Sequence, residues 1–360
     1  MQRIFCQTEL FYGAGALQAL QAETAHSVLV VADPFFAKSG EAARIGALVP
    51  GAAVTVFGDV MPDPTLELVA QGLLVLQQCK PELLIALGGG SAIDCAKAMI
   101  CLTDARPRFC AIPTTSGTGS EATSFSILTH NGAKYPLIDR QMLPDAAILD
   151  SDLLQQLPST LIADAGMDIL SHCLEAIAAT GATPFSDALA AHSFCLVLQN
   201  LPASFQGQRA VRGQIHLAAT MAGMAFEQAG LGACHALSHA LGGAFHLPHG
   251  RLNGILLPAV VQFNAQAVAG RYAALARQCG LAGASDPIAV RNLLSALRRL
   301  RAKLHLPATL QEAGVEPQQL QAHMPQLLHA AMQDACLQTN PRPASEADLR
   351  GILQEVLQHG

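Results

Sequence analysis

Four histidines crowd into one short apolar segment of the chain, GACHALSHALGGAFHLPHG. They are His235, His239, His246 and His249, and the whole sequence contains 13. Residues four apart on a helix share a face, so the first two would project together. A segment that is otherwise apolar would have to provide partners for several imidazoles at once. The pattern therefore favours a metal site over a set of unrelated core histidines.

A second pair with helical spacing, Asp168 and His172, occurs in GMDILSHCLEA. An aspartate together with several histidines is a ligand set for borderline divalent metals such as Fe²⁺ and Zn²⁺. Pro248 and Gly250 flank His249 and predict a fixed loop that returns to the same place. We therefore predict one divalent ion, with room for a substrate oxygen, bound by Asp168, His172, His235 and His249.

The other two histidines of the segment have different expected roles. His239, one helical turn after His235, would face the reaction cavity without necessarily touching the metal, and we predict that it carries a proton. His246, next to Phe245, is expected to be structural or to support a ligand. Together these residues predict a metal-assisted reaction at a substrate oxygen.

A glycine-rich turn follows the apolar run ELLIAL and precedes a helical stretch. Glycines allow a phosphate to approach the backbone, and the start of a helix offers free N–H groups. Asp94 and Lys97 lie on the first turns of that helix, either as cofactor contacts or as solvated charges. We predict that the phosphates of a dinucleotide bind at Gly88, Gly89, Gly90 and Ser91.

A second loop, AIPTTSGTGSEAT, also follows a strand and is rich in hydroxyl groups and glycine. Such a loop can donate many hydrogen bonds to a diphosphate or a ribose, and its candidate contacts are Thr114, Thr115 and Thr118. Asp33 ends the run VLVVAD, where a carboxylate either accepts a ribose hydroxyl and repels a 2′-phosphate or caps a helix. The first interpretation favours NAD over NADP.

The elements that must position these groups change character along the chain. From residue 26 to 150, short β-rich runs alternate with helical stretches, which is typical of βαβ units and a parallel sheet. Asn131-Gly132 predicts a hairpin turn within this part. Beyond it, segments with helical periodicity take over. We predict an α/β dinucleotide-binding domain with a Rossmann-like parallel sheet at 1–155 and an all-helical, metal-binding catalytic domain at 156–360.

Composition and charge exclude several classes of protein. Of the 360 residues, 51% are hydrophobic and 13% are charged, which is typical of a folded enzyme with large cores. The net charge of −6, without a basic stripe, argues against nucleic acid as a partner. No apolar run reaches the ~18 residues of a membrane span, and the first residues do not resemble a signal peptide. The 10 cysteines contain no CxxC pair, so we expect reduced core residues in a cytoplasmic protein.

Four of these stretches, GGGSAIDCAK, AIPTTSGTGSE, GMDILSHCLEA and CHALSHALGGAFHLPHG, together resemble the iron-dependent (group III) alcohol dehydrogenases. The resemblance runs from about residue 8 to NPRPAS, nearly the whole chain. It implies the dehydroquinate synthase-like architecture, NAD as cofactor, and Fe²⁺ with Zn²⁺ as a possible substitute. It also implies the same four metal ligands, places His239 near the nicotinamide, and adds cofactor contacts from Asp63, Thr123 and Lys134.

Two positions depart from the pattern of that family. Asp63 stands in PDPT, where relatives often carry Asn. Asp164 and Ala165 precede the metal aspartate, where Asn or Thr is common. Neither change removes a predicted ligand; the first bears on cofactor binding and the second on the surroundings of the metal.

Within that family the chain is most similar to the 1-propanol dehydrogenases of propanediol utilisation, and the stretches that carry this similarity are KYPL, AGMAFEQAGLG and FHLPHG. This resemblance implies reversible reduction of propanal to 1-propanol with regeneration of NAD. It also implies a homodimer or larger homo-oligomer, and residence in a bacterial microcompartment with shell or enzyme partners. Ethanol dehydrogenases and lactaldehyde reductases of the same family, and zinc polyol dehydrogenases resembling glycerol dehydrogenase, are the nearest alternatives.

Two alternatives lie outside the alcohol dehydrogenases. A synthase of the dehydroquinate type would need several Lys and Arg side chains to bind a carboxylated phosphate substrate. The sequence around the four histidines contains only one such residue, Arg251. A non-catalytic scaffold would keep its metal for stability alone. Turnover of an aldehyde with NADH separates both from a dehydrogenase.

Overall fold

The computed structural model describes residue 4 and residues 7–104, 106–130 and 133–358, without the side chains of residues 133 and 134. The predicted turn Asn131-Gly132 and the side chain of Lys134 therefore lie outside the described residues. The chain divides into two compact units, residues 1–157 and 158–360. The first is an α/β unit with a parallel sheet and the second is helical, so the predicted fold class is confirmed.

The first unit is built on a sheet of six strands in which every neighbouring pair is parallel. Runs such as VLVVA and LLIALG form the central strands, because continuous apolar runs can be buried on both faces of a parallel sheet. In spatial order the strands are β1 (Glu9–Gly13), β8 (Ala146–Asp150), β5 (Arg108–Pro113), β4 (Leu83–Gly88), β2 (Ser27–Ala32) and β3 (Ala53–Phe57).

Helices pack on both faces of this sheet. Alternate residues of a strand point to opposite faces. Leu29 therefore packs in the cluster that contains residues of α3 (Leu66–Cys79) and α4 (Gly90–Cys101), and Val30 packs in the cluster that contains residues of α2 (Glu41–Gly46). A separate antiparallel pair consists of β6 (Phe125–His130) and β7 (Ala133–Ile138). The helices are α1 (Pro34–Lys38), α2 (Glu41–Gly46), α3 (Leu66–Cys79) and α4 (Gly90–Cys101).

Eight α-helices make up most of the described part of the second unit. One of them, α9 (His249–Gln278), has Pro258 inside it and a kink at Val268. They are α5 (Ser159–Ala178), α6 (Pro184–Phe205), α7 (Arg212–Ala229), α8 (Ala233–Phe245), α9 (His249–Gln278), α10 (Asp286–Lys303), α11 (Pro317–Gln333) and α12 (Glu346–Gln358).

Helix α5 is the core of the helical unit and packs against α6, α7 and α9. Nearly all of its residues from Ile162 to Ala178 are buried. Helix α9 comes very close to it at Gly250, where an added Cβ would lie 2.0 Å from the carbonyl oxygen of Asp164. Only glycine permits this approach, and the approach brings the first residue of α9, His249, beside α5.

One pair of cysteines differs from the expectation of reduced core residues. Cys195 on α6 and Cys279, directly after α9, form a disulfide. The expectation is therefore wrong for this pair. The two residues are 84 positions apart, so no local spacing could indicate that their helices bring them together. Four free cysteines are buried as expected: Cys95, Cys110, Cys173 and Cys234.

Helix α9 is the one helix among the described residues that is long and apolar enough to cross a membrane. Its most apolar window is 61% buried inside the protein. A core helix meets the same criterion of length and hydropathy, and α9 also carries His249 and other polar groups that contact α5.

Candidate metal and cofactor sites

The four predicted metal ligands converge on one carboxylate oxygen. Asp168 and His172 lie one turn apart on α5, and Nε2 of His172 is 3.9 Å from Oδ1 of Asp168. Helix α8 supplies His235, whose Nε2 is also 3.9 Å from that oxygen. His249 begins α9 and places its Nε2 3.5 Å from the same oxygen. Three separate helices thus contribute to a single cluster.

The spacing of these atoms suits a divalent cation. The donor atoms of Asp168, His172 and His235 all lie within 4.8 Å of one another, and His249 joins them through Asp168. Around a tetrahedral ion with bonds of about 2.1 Å, neighbouring ligand atoms are about 3.4 Å apart. The observed separations of 3.5 to 3.9 Å are close to that value.

The protonation expected at this cluster also suits a metal. Burial, and then the neighbouring His172, holds the pKa of His235 well below its ordinary value. A neutral imidazole is the form that binds a metal ion. The rings of His172 and His235 stack with 4.6 Å between their centroids, which two protonated rings would not tolerate in a buried place. The donor set therefore fits the predicted ion.

Glu175 orients His235 and was not found from the sequence. Its buried carboxyl group lies 2.6 Å from Nδ1 of His235, within hydrogen-bond distance, and accepts the backbone N–H of Cys234 at 2.7 Å. Burial raises the pKa of Glu175 to about 7, although the backbone N–H groups of Gly232, Cys234 and His235 act to lower it. With Nδ1 held by Glu175, the other ring nitrogen of His235 is directed at Asp168. The sequence does contain a signal for Glu175, because Asp168, His172 and Glu175 are spaced so that they share one face of a helix.

Asn253 is the second residue that the sequence did not reveal. It lies one turn after His249 on α9 and is fully buried. Its Nδ2 is 2.7 Å from Oδ1 of Asp168, 3.1 Å from Nε2 of His249 and 3.4 Å from Nε2 of His235. Its Oδ1 accepts from the hydroxyl of Ser238. The amide hydrogens therefore lie among three acceptor atoms, in surroundings that also favour a cation.

The two predicted cofactor loops lie side by side in the first unit. Gly88 ends β4 with φ +153°, and an added Cβ there would be 2.7 Å from Cβ of Ala92. At Gly89 an added Cβ would be 3.3 Å from the hydroxyl of Thr115, and at Gly90 it would be 2.9 Å from Cγ2 of Thr118. Side chains at these positions would push the hydroxyl-rich loop away. The glycines are needed for this close packing, and Ser91 continues into α4.

Asp33 follows β2 and caps α1. Its Oδ1 accepts the backbone N–H groups of Phe35 and Phe36 at 2.9 and 3.1 Å. The capping alternative is therefore present in the structure. Oδ2 lies 3.7 Å from the place where a Cβ on Gly88 would be, so the same carboxylate also borders the glycine turn. Asp33 can cap the helix with one oxygen and accept a ribose hydroxyl with the other.

Lys97 and Asp94 hold the hydroxyl-rich loop. Lys97 is 0% exposed, and its Nζ donates to Oγ of Ser120, Oγ1 of Thr123 and the carbonyl of Phe125. Asp94 accepts from the same serine hydroxyl at 2.8 Å. The alternative of a solvated charge is wrong for Lys97, because its ammonium group is buried and bonded to protein oxygens. Thr114 is joined to the glycine turn by its N–H, which donates to the carbonyl of Gly88.

Two family models cover nearly all of the chain. A model described as "Iron-containing alcohol dehydrogenase" matches residues 7–151, and one described as "Fe-containing alcohol dehydrogenase family, C-terminal" matches residues 162–357. The chain belongs to the iron-containing alcohol dehydrogenase family. It is therefore an alcohol oxidoreductase linked to a nicotinamide dinucleotide, and membership implies iron and NAD as cofactors.

Three similar proteins illustrate the range of the family. The 1-propanol dehydrogenase PduQ of Salmonella typhimurium is 40% identical, over 99% of this chain and 100% of its own. The NADPH-dependent butanol dehydrogenase of Clostridium saccharobutylicum is 35% identical, over 99% of this chain and 98% of its own. The structure of sulfoacetaldehyde reductase from Bifidobacterium kashiwanohense, in complex with NAD⁺, matches with a TM-score of 0.90 at 28% identity, over 100% of both chains.

His239 stands beside the ligand cluster of this iron-containing alcohol dehydrogenase. Its ring stacks on that of His249 with 5.2 Å between centroids and 15° between planes. Its Nδ1 hydrogen-bonds Oδ2 of Asp334 at 2.8 Å. His246 is exposed and ends α8 in the left-handed conformation, at φ 54°. The structure thus separates the fourth histidine from the other three.

Two cofactor contacts implied by the family have clear local roles. Asp63 is exposed and adopts φ 55°, a left-handed conformation that Asp and Asn reach more easily than other non-glycine residues. The Asp of this alcohol dehydrogenase therefore suits the backbone conformation at that position. Thr123 is buried and bonded to Lys97, so it supports the loop from inside.

Proposed function

We propose that this protein reduces a short-chain aldehyde, with propanal as the preferred substrate, to the primary alcohol. In the balanced reaction, aldehyde, NADH and one proton yield alcohol and NAD⁺. The observation that carries the proposal is the convergence of three imidazole nitrogens on Oδ1 of Asp168. Iron in such a site supplies a Lewis acid for the carbonyl oxygen, and NADH supplies the hydride.

Each residue of the cluster has a definite task in this proposal. One carboxylate and three imidazoles would hold the ion, Fe²⁺ with Zn²⁺ as a substitute. Glu175 keeps His235 pointed at Asp168, and Asn253 donates to the same carboxylate. His239 delivers the proton that the oxygen of the substrate needs. The ligands are Asp168, His172, His235 and His249.

The proposed cofactor site is the α/β domain at 1–155, and the proposed catalytic domain is the helical part at 156–360. NAD is preferred over NADP because the carboxylate of Asp33 beside Gly88 would repel a 2′-phosphate. The NADPH-dependent relative makes this preference worth measuring directly with both cofactors. The proposed contacts are Asp33, Asp63, Gly88, Gly89, Gly90, Ser91, Asp94, Thr114, Thr115, Thr118, Thr123 and Lys134.

Propanal is proposed because the relative that is 40% identical over its whole length is a 1-propanol dehydrogenase. By the same likeness we propose a cytoplasmic homodimer or larger homo-oligomer that works within a bacterial microcompartment. A carboxylated phosphate substrate is disfavoured because Arg251, the arginine nearest the histidines in the sequence, is bound to Asp164 through Nε and Nη2.

The test is turnover by protein purified without oxygen and loaded with Fe²⁺. The absorbance of NADH is followed with a panel of ethanal, propanal, butanal, lactaldehyde and dihydroxyacetone, and each assay is repeated with NADPH. We expect iron-dependent oxidation of NADH, fastest with propanal. His249→Ala should lose both metal and turnover, and His246→Ala, at an exposed position, should keep both. Full iron occupancy without turnover of any substrate in the panel would disprove the proposal.

A further inference from the structure

His239 lies between the proposed metal ligands and a carboxylate from a distant part of the chain. Its ring stacks on His249 and meets His235 edge to face, with 6.1 Å between the latter centroids. Nδ1 of His239 hydrogen-bonds Asp334, which is 95 positions away in sequence. Asp334 follows α11 directly and its side chain is only 9% exposed. The contact is therefore made by tertiary structure and shielded from most solvent.

The carboxylate of Asp334 has a fixed orientation. Its Oδ1 accepts the backbone N–H of Cys336 at 2.8 Å and so caps the short helix Ala335–Thr339. Its Oδ2 is left for His239. Although burial opposes ionisation, the hydrogen bond and charge of His239 lower the pKa of Asp334 to about 2. An ionised carboxylate accepts and does not donate, so the hydrogen of this bond is on Nδ1 of His239.

The segment that follows Asp334 is bonded to the start of α8. Oδ1 of Asn340 accepts the N–H of Ala233, the first residue of that helix. The hydroxyl of Thr339 donates to the carbonyl of Leu231. Residues 334–340 are thus bonded to α8, the helix that carries His239, at two places. Asp334 binds His239 itself, and Thr339 and Asn340 bind at the beginning of the helix. This second anchor keeps the carboxylate at a constant position relative to the ring.

We propose that Asp334 is a positioning residue for proton transfer, which fixes His239 in the tautomer with hydrogen on Nδ1 and leaves Nε2 to exchange the proton. The inference rests on the proposed aldehyde reduction and extends it. The proton moves from Nε2 of protonated His239 to the oxygen of the substrate while the hydride goes to its carbon, and the ring regains a proton from solvent. Asp334 stays ionised throughout and acts only through the ring.

The decisive variant is Asp334→Asn, which keeps the size of the side chain and the cap for Cys336 but removes the charge. We expect kcat for propanal to fall about 10- to 100-fold, with the KM and the iron content close to those of the wild type. In the His239→Gln background the same substitution should cause no further loss, because a residue that acts only through His239 has nothing left to orient. Cys336→Ala, which changes the neighbouring side chain, should leave kcat within about twofold of the wild type.

A second measurement does not depend on turnover. ¹⁵N spectra of histidine-labelled, metal-free protein, with His239 assigned by its loss in His239→Gln, should show hydrogen on Nδ1 in the wild type. In Asp334→Asn the hydrogen should move to Nε2, because the amide oxygen keeps the bond to Cys336 and the NH₂ group would donate to Nδ1. Unchanged kcat together with an unchanged tautomer would overturn the inference. So would a second equivalent of bound metal that is lost in both Asp334→Asn and Cys336→Ala, because His239, Asp334 and Cys336 lie close enough to ligate an ion themselves. Absence of turnover in the wild type would instead count against the proposed function.

Discussion

Asp164 on α5 and Arg251 on α9 form a two-point ion pair, with Nε and Nη2 of the arginine at 3.2 and 3.0 Å from the two carboxylate oxygens. Asp164 lies one turn before Asp168, and Arg251 lies two residues after His249. The pair therefore joins the two helices where their proposed metal ligands meet.

We expect Asp164→Asn to lower the free energy of unfolding by about 1 to 2 kcal/mol. The substitution removes one of the two charge-assisted hydrogen bonds and leaves the guanidinium of Arg251 without its counter-charge. The measurement is urea unfolding of the metal-free protein. The double variant Asp164→Asn with Arg251→Leu should be more stable than the sum of the two single losses predicts, by about 1 kcal/mol. Simple additivity would show that the two residues do not interact.

Asn253→Ala should weaken retention of iron by about 10- to 100-fold. The substitution removes the donor that orients Asp168 and leaves a carboxylate oxygen without its shortest hydrogen bond. Competition with a chelator measures the dissociation constant. The matched control is Asn200→Ala on α6, where the amide donates to the carbonyl of Leu196 in its own helix. Equal iron affinity of the two variants would contradict the role given to Asn253.

Lys97→Met should weaken binding of NADH about tenfold, equivalent to about 1.4 kcal/mol. The substitution removes the buried ammonium group that bonds Ser120, Thr123 and the carbonyl of Phe125, and so loosens the loop that packs against the glycine turn. Calorimetric titration with NADH is suitable because the chain has 0 tryptophans for fluorescence transfer. Iron content should not change, and Lys38→Met, at an exposed site on α1, should bind NADH as the wild type does.

Reduction of the bond between Cys195 and Cys279 should lower the free energy of unfolding by about 3 kcal/mol, because a cross-link limits the entropy of the unfolded chain. The loop that it closes spans 84 positions and includes His239 and two of the three proposed metal-binding histidines, His235 and His249. Urea unfolding with and without dithiothreitol measures the difference. Cys195→Ser should show the lower value under both conditions. A wild type that is insensitive to the reductant would mean that the bond does not form in solution, as is common for cytoplasmic proteins.

The sequence by itself determined the features that depend on local spacing. Alternation of apolar runs with helical stretches indicated the parallel sheet, because each strand and each helix has its own periodicity. Asp168 with His172, and His235 with His239, were visible because residues one turn apart share a helix face. The glycine turn was visible because it directly joins a strand to a helix. The residues matched by the two family models include these stretches.

The tertiary structure alone decided which residues support those groups. Asn253, Asp334 and the bond between Cys195 and Cys279 depend on contacts between elements that are far apart in the chain. From the sequence alone, Lys97 could equally well be a solvated charge; only the structure shows that its ammonium group is buried. Periodicity describes which face of an element is apolar, and it contains no information on which other element will cover that face. The partners of a buried polar group are set by that packing.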